Sequence, residues 1–279
     1  MKIYNTKKGI IINNDEQFFL SGETNWDTYI NRQYLFQKVS GEIEDLKADG
    51  ALAGAINAGL LPPIANQEVW AAGVTYLRSR TARIEESKDA GGGTFYDRVY
   101  NADRPELFFK APAYRTVGSG DKVRIRKDSK WNVPEPELTL FICSAGTIEG
   151  YTIGNDMSSR DIEGENPLYL PQAKSYNGAA AIGPCLFVPE KPINPDTKIG
   201  IEITRNGDIV FGETIAISQM KRKHTELVSW LFKEVDFKNG VFLMTGTGII
   251  PADDFTLHIG DVINITIEVI GTLSNTVTS

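Results

Sequence analysis

Two acidic side chains separated by one residue are the first feature of the sequence that suggests chemistry. Glu135 and Glu137 flank Pro136, and Pro134 precedes them. Each proline favours an extended backbone at its own position and at the residue before it. Side chains two residues apart in an extended chain share a face, so both carboxylates project the same way. On this spacing alone, a solvated strand edge is the simpler interpretation.

A third carboxylate makes a metal site the better interpretation. Residues 138–153 contain two runs of strand formers joined by a glycine-containing turn, which predicts a hairpin. The hairpin would return Asp156 to the end of the strand where Glu135 and Glu137 lie. Three converging carboxylates suit a hard divalent cation such as Mg²⁺, Mn²⁺ or Ca²⁺. Zinc is disfavoured, because the two histidines are isolated and the two cysteines show no metal-ligand spacing.

Two further side chains are candidates for proton transfer. Lys174 is the cation of the segment 171–176, and positive charge from a metal or from Arg160 would favour its neutral amine, which can accept a proton. Glu106 opens an apolar run, where a carboxyl group could keep its proton near neutral pH and act as an acid. A surface lysine and a charged strand end are the alternative interpretations, and spacing does not decide between them.

Composition excludes several classes of protein. The chain has 279 residues, of which 41% are hydrophobic and 23% charged, enough for one large domain or two smaller ones. Its net charge of −7 argues against nucleic-acid binding, which depends on neutralising phosphates. Two cysteines are too few for a disulfide framework. The longest uncharged stretch, 51–67, is too short and too broken by prolines to span a bilayer, so we expect a soluble, cytoplasmic protein.

The elements that must position these side chains follow from apolar spacing and turn residues. Apolar residues at helical spacing predict one helix from Asp27 to about Leu46, and residues 60–63 resemble a linker. The later elements are predicted strands at 123–126, 138–143, 148–153, 199–211 with a turn at Asn206-Gly207, and 262–270, and a helix at 224–234. Residues 78–93 could form a lid over the site or a surface helix and turn.

The ordered set of motifs resembles the fumarylacetoacetate hydrolase superfamily over roughly residues 68–273. The order is specific, although each short motif alone is weak. The motifs are Glu135-Pro136-Glu137, Gly150-Tyr151-Thr152, residues 155–161, Lys174-Ser175, Gly183-Pro184, Thr245-Gly246-Thr247 and Gly260-Asp261. Within the superfamily, the likeness is greatest to dehydratases of 2-keto-3-deoxy sugar acids. It rests on residues 70–76, 104–110 and 161–174.

The resemblance implies a fold, an assembly and a set of roles. The fold is α+β, a mixed β-roll of the fumarylacetoacetate hydrolase C-terminal type (residues 66–279) with a smaller N-terminal α/β domain (residues 1–65). Relatives are usually homodimers or homotetramers. The implied metal ligands, usually of Mg²⁺, are Glu135, Glu137 and Asp156. The implied catalytic pair is Lys174 and Glu106, and the implied substrate-binding residues are Ser79, Arg80, Arg160 and Thr247.

One departure from the family pattern favours dehydration over hydrolysis. Carbon–carbon hydrolases of the superfamily carry a histidine shortly after a Gly-x-x-Tyr segment, and residues 74–80 contain none. Elimination of water needs no activated water molecule. We therefore expect Mg²⁺-dependent dehydration of a small 2-keto acid resembling 2-keto-3-deoxy-D-arabinonate, giving 2,5-dioxopentanoate. A second departure is Glu163, where many members have glutamine. The alternatives are a C–C hydrolase of acylpyruvates or related diketo acids, and a metal-stabilised binding protein without catalysis.

Overall fold

Two large β-sheets and a two-stranded one, with few helices among the described residues, confirm the expected α+β class. The computed structural model describes residues 1–86 and 93–279. The strands are β1 (Lys2–Thr6), β2 (Gly9–Asn14), β3 (Gln17–Leu20), β4 (Glu68–Gly73), β5 (Glu106–Pro112), β6 (Thr116–Val117), β7 (Lys122–Arg124), β8 (Asn132–Val133), β9 (Pro136–Ile142), β10 (Ile148–Asp156), β11 (Ser158–Ser159), β12 (Ala180–Phe187), β13 (Lys198–Arg205), β14 (Asp208–Ala216), β15 (Val241–Met244), β16 (Val262–Ile267) and β17 (Gly271–Thr278). The helices are α1 (Trp26–Ile30), α2 (Leu35–Glu44), α3 (Leu52–Gly59), α4 (Leu77–Glu86), α5 (Gly93–Asn101), α6 (Arg160–Glu165), α7 (Leu170–Lys174) and α8 (His224–Leu231).

The larger sheet is mixed and contains ten strands in the order β3-β2-β1-β12-β10-β9-β15-β4-β5, with β6 beside β12. The smaller sheet has the order β14-β13-β16-β17-β7, and β8 pairs with β11. Strand β9 is buried along its whole length. Its alternate residues Leu138, Leu140 and Ile142 pack into the core shared with β13 and β16. Phe141 belongs to a second core on the opposite face of β9.

The N-terminal segment extends the larger sheet. Strand β1 pairs antiparallel with β12, so that Ile3 lies opposite Leu186. Trp26 and Tyr29 of α1 pack into the same core as Phe141 of β9. Strands β1–β3 therefore lengthen the sheet, and helix α1 packs on its face opposite the first core. The division into domains 1–65 and 66–279 stays a prediction.

The single helix predicted from Asp27 to Leu46 is wrong, because the structure has two helices, α1 and α2, in that range. The Asn31 side chain accepts a hydrogen bond from Ser144 N at 2.7 Å and donates one to Lys238 O at 2.8 Å. Tyr34 has a positive φ of 59° at the start of α2. Hydrogen bonds from this break to distant loops replace the bonds that a continuous helix would make.

The hairpins that position the candidate site are confirmed. Strands β9 and β10 pair antiparallel with Glu137 opposite Gly154, and β13 and β14 form the hairpin predicted around Asn206-Gly207. The predicted tail strand is β16, which ends at Ile267 and is followed by β17, a strand that we did not predict. Helix α4 occupies the start of the predicted lid, whose residues 87–92 lie outside the described residues. No described helix has the length and apolar character needed to cross a membrane.

Candidate active site

Three buried carboxylates meet at the open end of the β9–β10 hairpin. Glu135 precedes β9, Glu137 lies within it, and Asp156 ends β10. The backbone N–H of Asp156 donates to Glu135 O at 3.0 Å, which places these two residues side by side. One ligand oxygen from each carboxylate lies within 4.8 Å of the other two, as the predicted hairpin required.

The electrostatics of the three carboxylates fit a hard cation. Burial, and then the negative charges of Asp156 and Glu135, raise the pKa of Glu137 well above its usual value. Burial would also raise the pKa of Asp156, but the ammonium groups of Lys110 and Lys174 lower it overall. The raised pKa means that Glu137 gives up its proton less readily while no metal is bound. A divalent cation would replace that proton, and an all-oxygen donor set suits Mg²⁺.

Buried cations surround the three carboxylates. Lys174, at the C-terminal end of α7, is fully buried. Its Nζ donates to Glu135 Oε2 at 2.8 Å and to Asp156 Oδ2 at 3.1 Å. Arg160, at the start of α6, places Nη2 3.3 Å from Glu135 Oε1. The structure thus brings Lys174 and Arg160 to the predicted ligands, while their roles stay predictions.

Lys110 is a further residue of this cluster, and our sequence reasoning missed it. Its side chain is fully buried, and Nζ lies 2.5 Å from Asp156 Oδ1. Burial lowers the pKa of Lys110 to about 8, and the charge of Asp156 opposes that shift. A signal was present in the sequence. Lys110 follows the apolar run that Glu106 opens, four residues later, so an extended run would place both on one face, although its partners could not be inferred from this spacing.

Glu106 and Lys174 line the same small cavity as the three carboxylates. Glu106 begins β5 and lies opposite Gly73, the last residue of β4. Phe108, two residues further along β5, places its ring centroid 5.9 Å from Lys174 Nζ. Both members of the predicted catalytic pair therefore face one space, although they are 68 residues apart in the chain.

The predicted substrate-binding residues separate into two groups. Ser79, Arg160 and Thr247 line the cavity and are buried. Arg80 points elsewhere, since its guanidinium group pairs with Asp97 Oδ1 at 2.6 Å and lies 5.6 Å from the Tyr100 ring centroid. Its role in substrate binding stays a prediction that this conformation does not support.

Additional residues of the cavity wall come from helix α6 and from the loop after β15. Glu163 of α6 lines the cavity and accepts a hydrogen bond from Ser158 Oγ at 3.0 Å. The backbone N–H of Gly246 donates to Glu137 Oε2 at 2.5 Å. Neither histidine of the chain is among the described residues that line the cavity. His224 packs near Tyr151 at the start of α8, and His258 is exposed.

A mixed β-sheet fold with a buried carboxylate cluster beside two lysines defines the class of site. The chain belongs to the fumarylacetoacetate (FAA) hydrolase C-terminal family, whose model matches residues 69–278. This match confirms the resemblance inferred from the motifs.

Similar proteins include named dehydratases. The chain is 48% identical over 218 residues to a probable 2-keto-3-deoxyxylonate dehydratase of Haloferax volcanii, covering 78% of this chain and 74% of the relative. It is 43% identical over 213 residues to the 2-dehydro-3-deoxy-D-arabinonate dehydratase of Saccharolobus solfataricus, covering 76% and 72%. A solved structure of 2-keto-3-deoxy-D-arabinonate dehydratase complexed with magnesium and 2,5-dioxopentanoate has a TM-score of 0.83 at 32% identity, covering 100% of this chain and 99% of its own.

Proposed function

We propose that this protein is a magnesium-dependent hydro-lyase that dehydrates a 2-keto-3-deoxy sugar acid, giving 2,5-dioxopentanoate from a five-carbon substrate. The observation that carries the proposal is the cavity in which Glu106 and Lys174 face the three carboxylates. The names of the similar dehydratases, and the magnesium and product in one of their structures, support the same reaction.

The ligands of the metal would be Glu135, Glu137 and Asp156. Magnesium bound there would act as a Lewis acid that makes the C3 protons of a 2-keto acid more acidic. The protein holds the three oxygens close together against their mutual repulsion by surrounding them with Lys174, Lys110 and Arg160. Because all these groups are buried, water competes weakly for the ion pairs between the three cations and the carboxylates.

Lys174 and Glu106 would each carry out one of two proton transfers. Lys174 contacts two of the ligand carboxylates, so we assign to it the removal of a proton from C3, the carbon next to the 2-keto group. Glu106 would donate a proton to the C4 hydroxyl group as it leaves as water, and a C3–C4 double bond forms. Transfer of a proton from C5 to C3 then gives a C4–C5 enol, and movement of the C5 hydroxyl proton to C4 completes the aldehyde of 2,5-dioxopentanoate.

Substrate orientation would come from polar groups at the cavity wall. Arg160 carries a positive charge beside Glu135 and lines the cavity, so it is suited to the substrate carboxylate. Ser79 and Thr247 line the same space. Their hydroxyl groups donate to the backbone oxygens of Tyr76 and Ile249, so each would serve a sugar acid by accepting a hydrogen bond from a substrate hydroxyl group. Hydrolysis of a diketo acid lacks a comparable basis, because the described lining residues include no histidine that could activate water.

The test is an incubation of purified protein and Mg²⁺ with a panel of 2-keto-3-deoxy sugar acids and acylpyruvates, analysed by mass spectrometry. Loss of one water from a sugar acid, abolished by a chelator, is the expected result. Release of pyruvate and a carboxylic acid from an acylpyruvate would support the hydrolase instead. Unchanged substrates throughout, together with ligand-dependent thermal stabilisation, would indicate a binding protein.

The proposal also includes a cytoplasmic location and a homodimer or homotetramer. Strand β5 ends the larger sheet, and Phe109 on it is 39% exposed. Edge strands of this kind are commonly covered by another chain or element. Light scattering on the purified protein measures the oligomer size, and a monomer at micromolar concentration would contradict the assembly.

A further inference from the structure

Lys110 is a buried lysine to which the proposed proton transfers assign no step. Its Nζ forms an ion pair with Asp156 Oδ1 at 2.5 Å and donates to Met157 O at 2.8 Å and to Lys174 O at 2.5 Å. Three oxygens thus surround Nζ, which is as many as an ammonium group has N–H donors. Among the described residues, Lys174 lines the cavity and Lys110 does not. The two buried lysines thus have different positions relative to a bound substrate.

The contacts of Lys110 connect three separate elements of the site. Asp156 ends β10, the Lys174 carbonyl ends α7, and Lys110 itself belongs to β5. The hydrogen bonds from Lys110 to Met157 O and to Lys174 O span 47 and 64 residues of sequence, so they depend on tertiary packing alone. A single ammonium group therefore fixes the end of α7 and one predicted metal ligand to the same strand.

Strand β5 also carries the other predicted catalytic residue. Glu106 and Phe108 alternate along β5 and both line the cavity, and Lys110 follows at a β-bulge from which its Nζ reaches Asp156. The Phe108 ring lies against the Lys174 side chain, and Glu106 reaches the cavity. The spacing between Glu106 and Lys174 is consequently set by how β5 docks on α7. Lys110 Nζ and the hydrogen bond from Ser175 Oγ to Phe109 O at 3.1 Å are polar contacts that fix this docking.

Asp156 is shared between the two lysines, one on each oxygen. Lys110 is the partner of Oδ1, and Lys174 donates to Oδ2. Loss of one partner from a buried group of charges leaves the remaining charge without compensation and displaces it. Removing Lys110 would therefore change the position of Asp156 and of the Lys174 backbone together.

We propose that Lys110 is a positioning residue, which holds Asp156 and the Lys174 main chain at a fixed distance from the strand that carries Glu106. This inference rests on the proposed function for its catalytic consequence. Its structural consequence, the docking of α7, does not depend on any activity.

The first test compares Lys110→Met with wild type in the magnesium-loaded full chain. We expect kcat for the 2-keto-3-deoxy sugar acid to fall roughly 10- to 100-fold, since a displacement near 1 Å costs this much, while KM changes less than about threefold. Lys198→Met, an exposed lysine of β13, is the matched control and should keep both constants. A Lys110→Met enzyme with wild-type kcat would overturn the proposal.

The second test uses hydrogen–deuterium exchange of the metal-free proteins. Lys110→Met should exchange faster over residues 170–176, while exchange in β16 is unchanged. Calorimetry should show that it still binds Mg²⁺, because all three ligands remain, with a Kd that differs from wild type because Asp156 has lost one ion-pair partner. Unchanged exchange over residues 170–176 would contradict the docking role, even if wild type failed to dehydrate any substrate and the proposed function were wrong.

Two further variants keep the test decisive if Lys110→Met does not fold. Lys110→Arg retains the buried charge but cannot direct a planar guanidinium at the same three oxygens, so kcat should remain at least about tenfold below wild type. In Lys110→Ala, propylammonium should fill the vacated space and raise kcat in a saturable manner. Wild-type turnover by Lys110→Arg, or no effect of propylammonium on a folded Lys110→Ala, would count against the proposal.

Discussion

Glu106 lies opposite Gly73 across the β4–β5 pair, and its carboxyl group occupies the space that a Cβ at Gly73 would need. A Cβ built on Gly73 would lie 2.1 Å from Glu106 Oε2 and 2.5 Å from its Cδ. Such contacts are too short to persist, so the flexible end of Glu106 would have to move. The absence of a side chain at residue 73 therefore permits the position that Glu106 has in the cavity.

Gly73→Ala should lower activity with little effect on the fold. We expect kcat to fall roughly 10- to 100-fold, because the displaced carboxyl group no longer meets the substrate in the productive geometry. Gly41→Ala is the matched control, since a Cβ there meets nothing within 4 Å and lies on the exposed face of α2. Steady-state kinetics and thermal unfolding of both variants make the comparison. Full activity in Gly73→Ala would show that the position of Glu106 does not matter.

Magnesium binding should release a proton. The raised pKa of Glu137 means that this carboxyl group is protonated at pH values below its folded pKa, and a metal ligand must be deprotonated. Affinity for Mg²⁺ should therefore increase as pH rises. Calorimetry in two buffers of different ionisation enthalpy measures the number of protons released.

Glu137→Gln should weaken Mg²⁺ binding and remove most of that proton release. The amide keeps the shape of the side chain but supplies no negative charge to the ion. Glu149→Gln, an acidic residue of β10 outside the cavity lining, serves as the control. A magnesium titration of Glu137→Gln that matches wild type would refute the assignment of Glu137 as a ligand.

The proposed roles of Lys174 as base and Glu106 as acid should be distinguishable by whether the C3 protons of the substrate exchange with solvent. In D₂O, Lys174→Met should neither exchange the C3 protons of the substrate nor release product, since general-base catalysis is lost, at a cost on the order of 100-fold or more. Glu106→Gln should still exchange C3 protons while loss of water is slowed by a similar factor. Proton NMR follows both events in one sample, and Mg²⁺ titration checks that each variant keeps its metal. The reverse pattern would exchange the two assignments.

His224 should make the protein less stable in mild acid. Burial lowers the pKa of His224 to about 4, and its Nε2 has no hydrogen-bond partner among the described residues. The unfolded chain takes up a proton near pH 6.5 that the folded chain resists. Stability is therefore lost as pH falls from about 7 towards 4, by about 2 kcal/mol at pH 5.

Urea unfolding of His224→Gln and wild type at pH 7 and pH 5 isolates this contribution. The variant should lose less stability on acidification, whereas His258→Gln, at an exposed histidine, should follow wild type. Parallel loss of stability in all three proteins would mean that His224 is protonated as readily in the folded chain as in the unfolded one.

The part of the site that depends on local spacing could be predicted from the sequence. Glu135 and Glu137 share a face because of strand alternation, and a hairpin over the next residues returns Asp156 to them. Lys110 could not be placed in the same way, because its partners are 46 and more residues away and are reached only through the packing of β5. The partner of Arg80, Asp97, is likewise reached only through the contact of α4 with α5, and the substrate-binding role of Arg80 stays a prediction.

The fold, like the site, could be predicted where local spacing determines it and not where tertiary contacts do. The Asn206-Gly207 turn predicted a hairpin because both residues adopt the positive φ that such a turn requires. Strand β17 was missed, because its inward-facing positions include the polar Asn275, which donates to Gly118 O and Asp121 O instead of joining an apolar run. Tertiary hydrogen bonds at Asn31 likewise ended a helix that its apolar spacing would have continued.

The most direct measurement is anomalous X-ray scattering from a crystal of this protein soaked in Mn²⁺. The account predicts one strong peak between the carboxylates of Glu135, Glu137 and Asp156, with the Lys174 amine beside it, and no such peak in Glu137→Gln. A cation bound elsewhere in the wild-type crystal, with those three carboxylates unaltered, would contradict the account.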